Sequence, residues 1–416
     1  HETIRRQRQM CIRDSNKGTE DNRVRRMDYS IQMSKLFYER FINEEDITLF
    51  SPHAVPGLYE AFGTDKFDAL YKKYEKDKNI PKKTIAAQEL FADLLKERAE
   101  TGRIYIMNID HSNSHSSFKD KVSMSNLCQE ITLPTTPIKG IDDPDGEIAL
   151  CILSAINVGA IGNLNELETL CDLSVRALDE IIELQDYPVK AAEVSTKSRR
   201  SLGIGYIGLA HYLAKNGVKY SDPKAWELVD RLSEAFQYYL LRASCDIAEE
   251  KGKCSAFDRT KYADGLLPID HYKKEVDEIV VHKQRMAWET LRKDILKYGL
   301  RHSTLSAQMP SESSSVVSNE TNGIEPPRAL LSIKKSKKGP LKQIVPGYPN
   351  LKNAYTLLWD MGSNEGYIKI VSVMQKYFDQ AISGNWSYNP LQFENNEVPL
   401  SAVSYTHLRA HETSEN

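Results

Sequence analysis

Strand-like and helix-like segments alternate along the chain, and this alternation restricts the fold more than any other feature of the sequence. β-Branched and aromatic residues concentrate at 103–109 and 147–156, as is typical of strands. Helices are predicted near 164–186 and in a longer segment that Asp222-Pro223 opens and Gly252 ends. Strands separated by helices predict an α/β fold with parallel strands in a sheet or barrel.

The composition is that of a globular protein. The 416 residues are 40% hydrophobic, enough for a sizeable core, and the net charge of −3 does not favour a nucleic-acid or membrane-surface binder. Six cysteines without a C-x-x-C pair indicate neither a disulfide scaffold nor a zinc ribbon, and they fit a reducing cytoplasm. The uncharged segment 148–165 raises the question of a membrane span, but its Asn and Gly residues favour a buried strand followed by a turn.

The two ends of the chain differ from the rest. Residues 1–15 and 402–416 show neither helical nor strand periodicity, and both contain the tripeptide His-Glu-Thr, at 1–3 and at 411–413. They resemble translated sequencing adapters, so we predict that both segments are disordered artefacts and exclude them from fold reasoning. The alternative is a pair of genuine disordered tails.

Three chemically useful residues occupy alternate positions of a strand predicted over 124–133. Alternate side chains of a strand point to one face, so Asn126, Cys128 and Glu130 would stand in a row. An amide, a thiol and a carboxylate are costly to bury without partners, which favours a functional face. The alternative is a cysteine packed as a small hydrophobic residue, with its polar neighbours at a sheet edge.

A second cysteine, Cys151, lies in the predicted strand 147–156 with Leu153 on the same face. If this strand neighbours the one that carries Cys128 in a parallel sheet, both thiols face one cavity. The alternative is an inert buried cysteine, the commoner case for a lone one.

A serine-rich segment, MPSESSS at 309–315, follows a strand predicted over 303–308 and precedes a short helical stretch. Serine hydroxyls and backbone N–H groups at a helix N-terminus form an anion site suited to phosphates. The alternative is a plain serine N-cap, which is commoner when such a motif stands alone.

Other features suggest other functions. The glycines of 203–208 match G-x-G-x-x-G, the pattern of a nicotinamide-dependent oxidoreductase, but the preceding residues 195–200 are polar and basic and do not predict a strand. A helical interaction protein that uses the helix 223–251 is the non-enzymatic alternative. His111 and His115 are four residues apart, but they lie in a loop rich in Ser and Asn, and no metal site is predicted.

Taken together, four motifs carry a family resemblance: SNLCQEI at 125–131, ALCILSA at 149–155, MPSESSS at 309–315 and NGIEPPR at 322–328. In this order they resemble the catalytic, large subunit of the aerobic class I ribonucleotide reductases, and the resemblance extends over most of 16–400. It implies that residues 16–401 form part of a ten-stranded α/β barrel, the catalytic domain of that family. The implied activity is the reduction of ribonucleoside diphosphates to 2′-deoxyribonucleoside diphosphates for DNA precursor synthesis.

The resemblance also assigns roles to individual residues. It implies that Cys128 becomes the thiyl radical that removes the 3′ hydrogen atom, and that Glu130 takes the proton of the 3′-hydroxyl. Asn126 would hydrogen-bond the substrate hydroxyls, and Cys151 would be one of two thiols that end as a disulfide. The implied substrate-binding residues are Leu153, Pro310, Ser311, Glu312, Ser313 and Ser314.

The partners implied by the resemblance are proteins and nucleotides. No cofactor is expected to bind this chain directly, because the radical comes from a metal-containing small subunit, and ATP or dNTP effectors bind regions that precede this chain. Thioredoxin or glutaredoxin would reduce the disulfide, and the full-length protein would be a cytoplasmic homodimer that binds neither a membrane nor DNA. The partner of Cys151 is expected before residue 1, so we predict that the chain alone is inactive.

Overall fold

The computed structural model describes residues 28–102, 104–281, 283–336, 339–399 and 402–403. The chain divides into two compact units, one formed by the residues up to Asn113 with Ser125–Gln129, and the other by Ser114–Met124 with the residues from Glu130 onward. Residues 1–15 and 404–416 lie outside the described residues, so the foreign origin of the two ends stays a prediction.

The first unit contains two two-stranded sheets with helices between the strands. Strand β1 (Tyr29–Met33) pairs in parallel with β4 (Ile104–Asn108), and β2 (Asp46–Phe50) pairs antiparallel with β3 (Lys82–Ala86). The strand predicted at 103–109 is therefore confirmed as β4. The helices are α1 (Lys35–Ile42), α2 (Leu58–Ala61), α3 (Phe67–Lys76) and α4 (Ala87–Thr101), and α5 (Ile109–Ser114) follows β4.

The strand predicted over 124–133 is wrong. The chain forms a turn at 127–129, where Gln129 has a φ of 68°, in the left-handed region that an extended strand does not contain. The backbone carbonyl of Asn126 accepts hydrogen bonds from the backbone N–H of Gln129 at 3.3 Å and from its side-chain amide at 3.2 Å. Because no strand forms here, strand alternation does not place Asn126, Cys128 and Glu130 on a common face.

The second unit contains both strands and helices. Its elements in chain order are β5 (Ile152–Asn157), α6 (Glu166–Leu184), α7 (Lys190–Arg199), β6 (Leu202–Ile207), α8 (Leu209–Lys215), α9 (Pro223–Lys251), α10 (Trp288–Tyr298), α11 (Glu312–Val317), β7 (Leu331–Ser336), β8 (Gly339–Ile344), α12 (Tyr348–Leu351) and α13 (Glu365–Gln375). Helices connect β5 to β6 and follow β6. The hairpin of β7 and β8 is antiparallel.

Parallel neighbours extend from β5 in the order of the chain. Strand β5 pairs in parallel with β6, and β6 is bonded on its other side to the extended segment 304–308, through a parallel bridge between Ile204 and Ser306. That segment in turn forms a parallel bridge from Gln308 to Ile382. Parallel strands joined by helical connections confirm the predicted α/β class. Among the described residues, the strand pairing does not close into a barrel.

The core lies between this sheet and the long helix α9. The helix begins as predicted, with Asp222 at the N-cap and Pro223 in the first turn, and Gly252 ends it. Its buried face packs against α6, α10 and α13. The rings of Phe236 on α9 and Phe378 after α13 stack with their centroids 5.6 Å apart. This packing holds the segment after α13 against the sheet.

The segment 148–165 forms β5 and the turn after it, as the sequence predicts. No helix among the described residues is both long and apolar enough to cross a membrane.

Candidate functional site

The Cys151 thiol lies on one face of the parallel sheet, in the residue immediately before β5, since only 152–156 of the strand predicted over 147–156 are extended as a strand. A Cβ atom built on Gly203 of β6 would approach the Cys151 sulfur to 2.8 Å and the Leu153 side chain to 2.6 Å, so only glycine leaves room for both. Ala307 and Met309 border the same face beside Gly203 and Gly205. Cys151 and Leu153 thus share a face, as their spacing predicts, and the chain reaches Ser311 two residues beyond Met309.

A buried glutamine amide lies beside this thiol. The Gln380 side-chain nitrogen is 3.9 Å from the Cys151 sulfur and donates a hydrogen bond of 2.9 Å to the carbonyl of Leu202. Its side-chain oxygen accepts the backbone N–H of Thr132 at 3.2 Å. One side chain therefore joins the Cys151 thiol to β6 and to the segment that follows Glu130.

Glu130 is almost completely buried, with 3% of its surface exposed, and its backbone carbonyl accepts the N–H of Ala381 at 3.1 Å. Burial raises the pKa of the Cys151 thiol well above its ordinary value, and the nearby charges of Glu130 and Asp379 raise this pKa further. The Gln380 amide acts in the opposite direction and lowers it. The thiol is therefore held in its protonated form at neutral pH.

Asp379 fixes the segment on which Gln380 lies. Its carboxylate accepts the backbone N–H groups of Leu305 (3.0 Å) and Ser306 (2.8 Å) and the hydroxyls of Thr304 (2.9 Å) and Tyr262 (2.7 Å). Burial raises the pKa of this carboxyl, while these donors lower it. The network joins 304–308 to the chain after α13 and sets the position of Gln380.

The serine-rich segment begins α11, as predicted. Ser311 is the N-cap; its backbone N–H donates to the Asn322 side-chain oxygen at 3.1 Å, and its hydroxyl donates to the Met309 carbonyl at 3.2 Å. Glu312, Ser313 and Ser314 are exposed in the first turn of the helix. The Ser314 hydroxyl donates a hydrogen bond to the Ser311 carbonyl at 3.3 Å. Backbone N–H groups at the positive end of a helix, together with serine hydroxyls, suit an anion.

Asn126 and Cys128 belong to the first unit, where both are half-buried in the segment Ser125–Gln129. Their predicted chemical roles stay predictions. In the part of the chain that the structure describes, no cluster of His, Cys, Asp and Glu could hold a metal ion. His115 is instead buried, with its Nε2 atom 2.8 Å from the Phe378 carbonyl oxygen.

Sequence reasoning missed Gln380, Asp379 and Asn322. Asn322 begins the NGIEPPR motif, so the motif carried a signal for it. Gln380 and Asp379 lie in no pattern that would have singled them out, because the hydrogen-bond partners of their side chains are 73 or more residues away.

The glycines at 203–208 do not form the nucleotide-binding loop that the nicotinamide alternative requires. Gly203 and Gly205 lie inside β6, which is buried throughout, and the helix α7 precedes this strand. Gly208 is the N-cap of α8 with a φ of 82°, a conformation that favours glycine. The nicotinamide alternative required a strand upstream of Gly203 and is not supported.

A comparison with known families decides between the remaining alternatives. The family model described as "Ribonucleotide reductase, barrel domain" matches residues 8–414. The chain belongs to the ribonucleotide reductase barrel-domain family. The predicted family resemblance is therefore confirmed, and the interpretation of the chain as a helical interaction protein is wrong. The helix α9, on which that interpretation depended, is an element of the core.

Individual relatives agree with the family. The chain is 56% identical over 399 residues to a ribonucleoside-diphosphate reductase subunit alpha of Haemophilus influenzae, a match that covers 95% of this chain and 53% of the relative. It is 54% identical over 407 residues to the subunit alpha of Buchnera aphidicola subsp. Schizaphis graminum, a match that covers 97% of this chain and 53% of the relative. It is 52% identical over 399 residues to subunit alpha of ribonucleoside-diphosphate reductase 1 of Escherichia coli, a match that covers 95% of this chain and 52% of the relative. The chain spans about half the length of these relatives.

Proposed function

We propose that this chain takes part in the reduction of ribonucleoside diphosphates to 2′-deoxyribonucleoside diphosphates. The relatives are named for this activity, and the chain matches about half of each. The observation that carries the proposal is the placement of Cys151. Its thiol lies beside the segment of the buried Glu130, on a sheet face that Met309 borders, and the exposed residues Glu312–Ser314 follow Met309 along the chain.

The proposed chemistry divides the work among four side chains. Cys128, as a thiyl radical, takes the 3′ hydrogen atom of the substrate, and Glu130 takes the proton of the 3′-hydroxyl, which an ionised carboxylate can accept at neutral pH. Asn126 orients the substrate hydroxyls. Cys151 and a second thiol supply two electrons and two protons, the 2′-hydroxyl leaves as water, and the two sulfurs end as a disulfide.

The diphosphate is proposed to bind at the start of α11. The backbone N–H groups of Glu312, Ser313 and Ser314 and the serine hydroxyls suit phosphate oxygens, because they donate hydrogen bonds at the positive end of a helix. Ser311 sets the start of this turn through its bond to Asn322. Pro310 ends the preceding extended segment, and Leu153 supplies an apolar contact on the sheet face.

The proposal extends to partners that the names of the relatives imply. A subunit alpha implies a second subunit, and we propose that this is the metal-containing small subunit that supplies the radical. Thioredoxin or glutaredoxin would reduce the Cys151 disulfide. We also propose a homodimer in the cytoplasm, ATP or dNTP effectors bound outside this chain, and no association with a membrane or DNA.

A chimera tests the proposed function. The region of the Escherichia coli subunit alpha that matches this chain is replaced by the residues of this chain, and reduction of CDP is measured with the Escherichia coli small subunit and a thioredoxin system. We expect turnover by the chimera and none by the chain alone. Cys128→Ala and Cys151→Ala in the chimera are each expected to abolish turnover.

A matched control separates chemistry from folding. Cys245 is fully buried on α9, away from the proposed site, so Cys245→Ala is expected to retain turnover. A folded chimera without activity, or turnover that survives Cys128→Ala, would contradict the proposal.

A further inference from the structure

The Gln380 side chain uses both of its amide hydrogens and its oxygen within the sheet. A primary amide has two N–H donors and one carbonyl acceptor. One donor goes to the Leu202 carbonyl, the oxygen receives the Thr132 N–H, and the remaining donor is directed at the Cys151 sulfur, 3.9 Å from the nitrogen. Gln380 itself is 3% exposed. A buried amide with every position engaged has one stable orientation, so the sulfur faces a fixed donor.

The backbone around the thiol is also fixed. Gly203 leaves the space that the sulfur occupies, since a Cβ there would lie 2.8 Å from it. The backbone N–H of Ala381, the residue after Gln380, donates to the Glu130 carbonyl at 3.1 Å and joins the Gln380 segment to the Glu130 segment. The sulfur therefore lies against β6 and beside the amide donor, and it is close enough to Glu130 for the carboxylate charge to act on the thiol.

We propose that Gln380 is a positioning residue for Cys151: its amide nitrogen holds the sulfur toward the Glu130 segment and stabilises the thiolate when the thiol reacts. Hydrogen-bond donors directed at a sulfur favour its ionised form, which is the nucleophile in thiol–disulfide exchange. The inference deepens the proposed reductase function, because it concerns the thiol that is assigned there to the disulfide.

Site-resolved alkylation of the full chain tests this inference without turnover. Iodoacetamide labelling of each cysteine is followed by mass spectrometry between pH 7.5 and 9.5, for the original chain and for Gln380→Glu. The carboxylate of the variant cannot donate when it is ionised, and its charge opposes the thiolate. We expect Cys151 to react about tenfold more slowly at each pH, which corresponds to a rise of about one unit in its pKa.

The direction of the change separates positioning from a merely structural role. If Gln380 only joined the strands, its loss would loosen the sheet and Cys151 would react faster. A matched control is Gln308→Glu, since the Gln308 side chain is equally buried and bonds both the N–H and the carbonyl of Tyr206 on the same strand. Gln308→Glu introduces the same carboxylate beside β6 but removes no contact with the thiol. The alkylation rate of Cys151 is therefore expected to stay within twofold of the original.

The buried Cys171, Cys245 and Cys254 report folding in every sample, because they react slowly only while the chain is folded. If Gln380→Glu does not fold by this criterion, Gln380→Met replaces it, since Met removes the donor without adding charge, and the same slowing is expected. An unchanged or faster Cys151 rate in a folded variant, or equal slowing in Gln308→Glu, overturns the inference. A folded chimera with the original Gln380 that shows no turnover, together with a slowed Cys151 in Gln380→Glu, would count against the proposed function alone.

Discussion

Replacement of Gly203 by alanine tests whether the sheet face is built around the Cys151 thiol. The new methyl group would lie 2.6 Å from the Leu153 Cδ2 atom, 2.8 Å from the Cys151 sulfur and 3.3 Å from the Ala307 Cβ atom. The leucine methyl can turn away, but the Cβ atom of Ala307 is fixed by the backbone, so the new methyl cannot shift toward it. A sulfur 2.8 Å away must therefore move, and its contact with the Gln380 nitrogen, 3.9 Å away, is expected to change.

The expected cost follows from these contacts. Adding a carbon to a closely packed interior typically costs about 1–3 kcal/mol of folding free energy. The smaller entropy of the unfolded chain returns about 0.4–1 kcal/mol when alanine replaces glycine. We therefore expect Gly203→Ala to lower the free energy of unfolding by about 1–2 kcal/mol, and to change the alkylation rate of Cys151 at the same time.

Urea denaturation followed by far-UV circular dichroism measures the first quantity, and iodoacetamide labelling measures the second. Gly362→Ala is the matched control, since no atom lies within 4 Å of a Cβ built there. The control is expected to leave Cys151 unchanged and to cost no stability. A Gly203→Ala protein as stable as the control, with the original Cys151 reactivity, would refute the reasoning.

Two further perturbations address pH and anion binding. Burial lowers the pKa of His115 to about 4, below its ordinary value of about 6.5, so the folded chain binds fewer protons than the unfolded chain between these values. The free energy of unfolding is expected to fall as the pH drops from about 6.5 to 4. The midpoint of urea denaturation should depend less on pH in His115→Gln than in the original chain. The control His53→Gln, at an exposed site, should keep the pH dependence of the original chain. Ser313→Asp places a charge at the start of α11 and is expected to weaken CDP binding about tenfold by isothermal titration, whereas Ser318→Asp at the other end of the helix should not. Equal CDP affinity of the two serine variants would show that the diphosphate does not bind at the start of α11.

The elements that the sequence predicts well are those whose signals are local. Asp222 and Pro223 open α9 and Gly252 ends it, because a cap, a fixed φ and a glycine act within one turn of the helix. Ser311 likewise begins a helix where its serine-rich motif indicates one. The roles assigned to Cys128 and Cys151 came from the family motifs, since no local rule distinguishes a reactive cysteine from a packed one.

The parts that the sequence does not predict depend on contacts between distant segments. Gln380 meets Cys151 across 229 residues, and Asp379 meets Ser306 across 73. Neither residue differs in type or spacing from surface glutamines and aspartates elsewhere in the chain. Their contacts form only when the fold brings the segment after α13 against the sheet.

The turn at Gln129 shows why a correct motif can accompany a wrong local structure. The expectation of a common face for Asn126, Cys128 and Glu130 rested on an extended backbone, in which every second side chain points the same way. A φ of 68° at Gln129 lies outside the extended region, so alternation no longer decides which way the side chains of Cys128 and Glu130 point. Side chains in a strand are restricted to its two faces, whereas those in a turn are not. The spacing C-x-E therefore identifies the motif without specifying its backbone, because periodicity carries information only where the chain is regular.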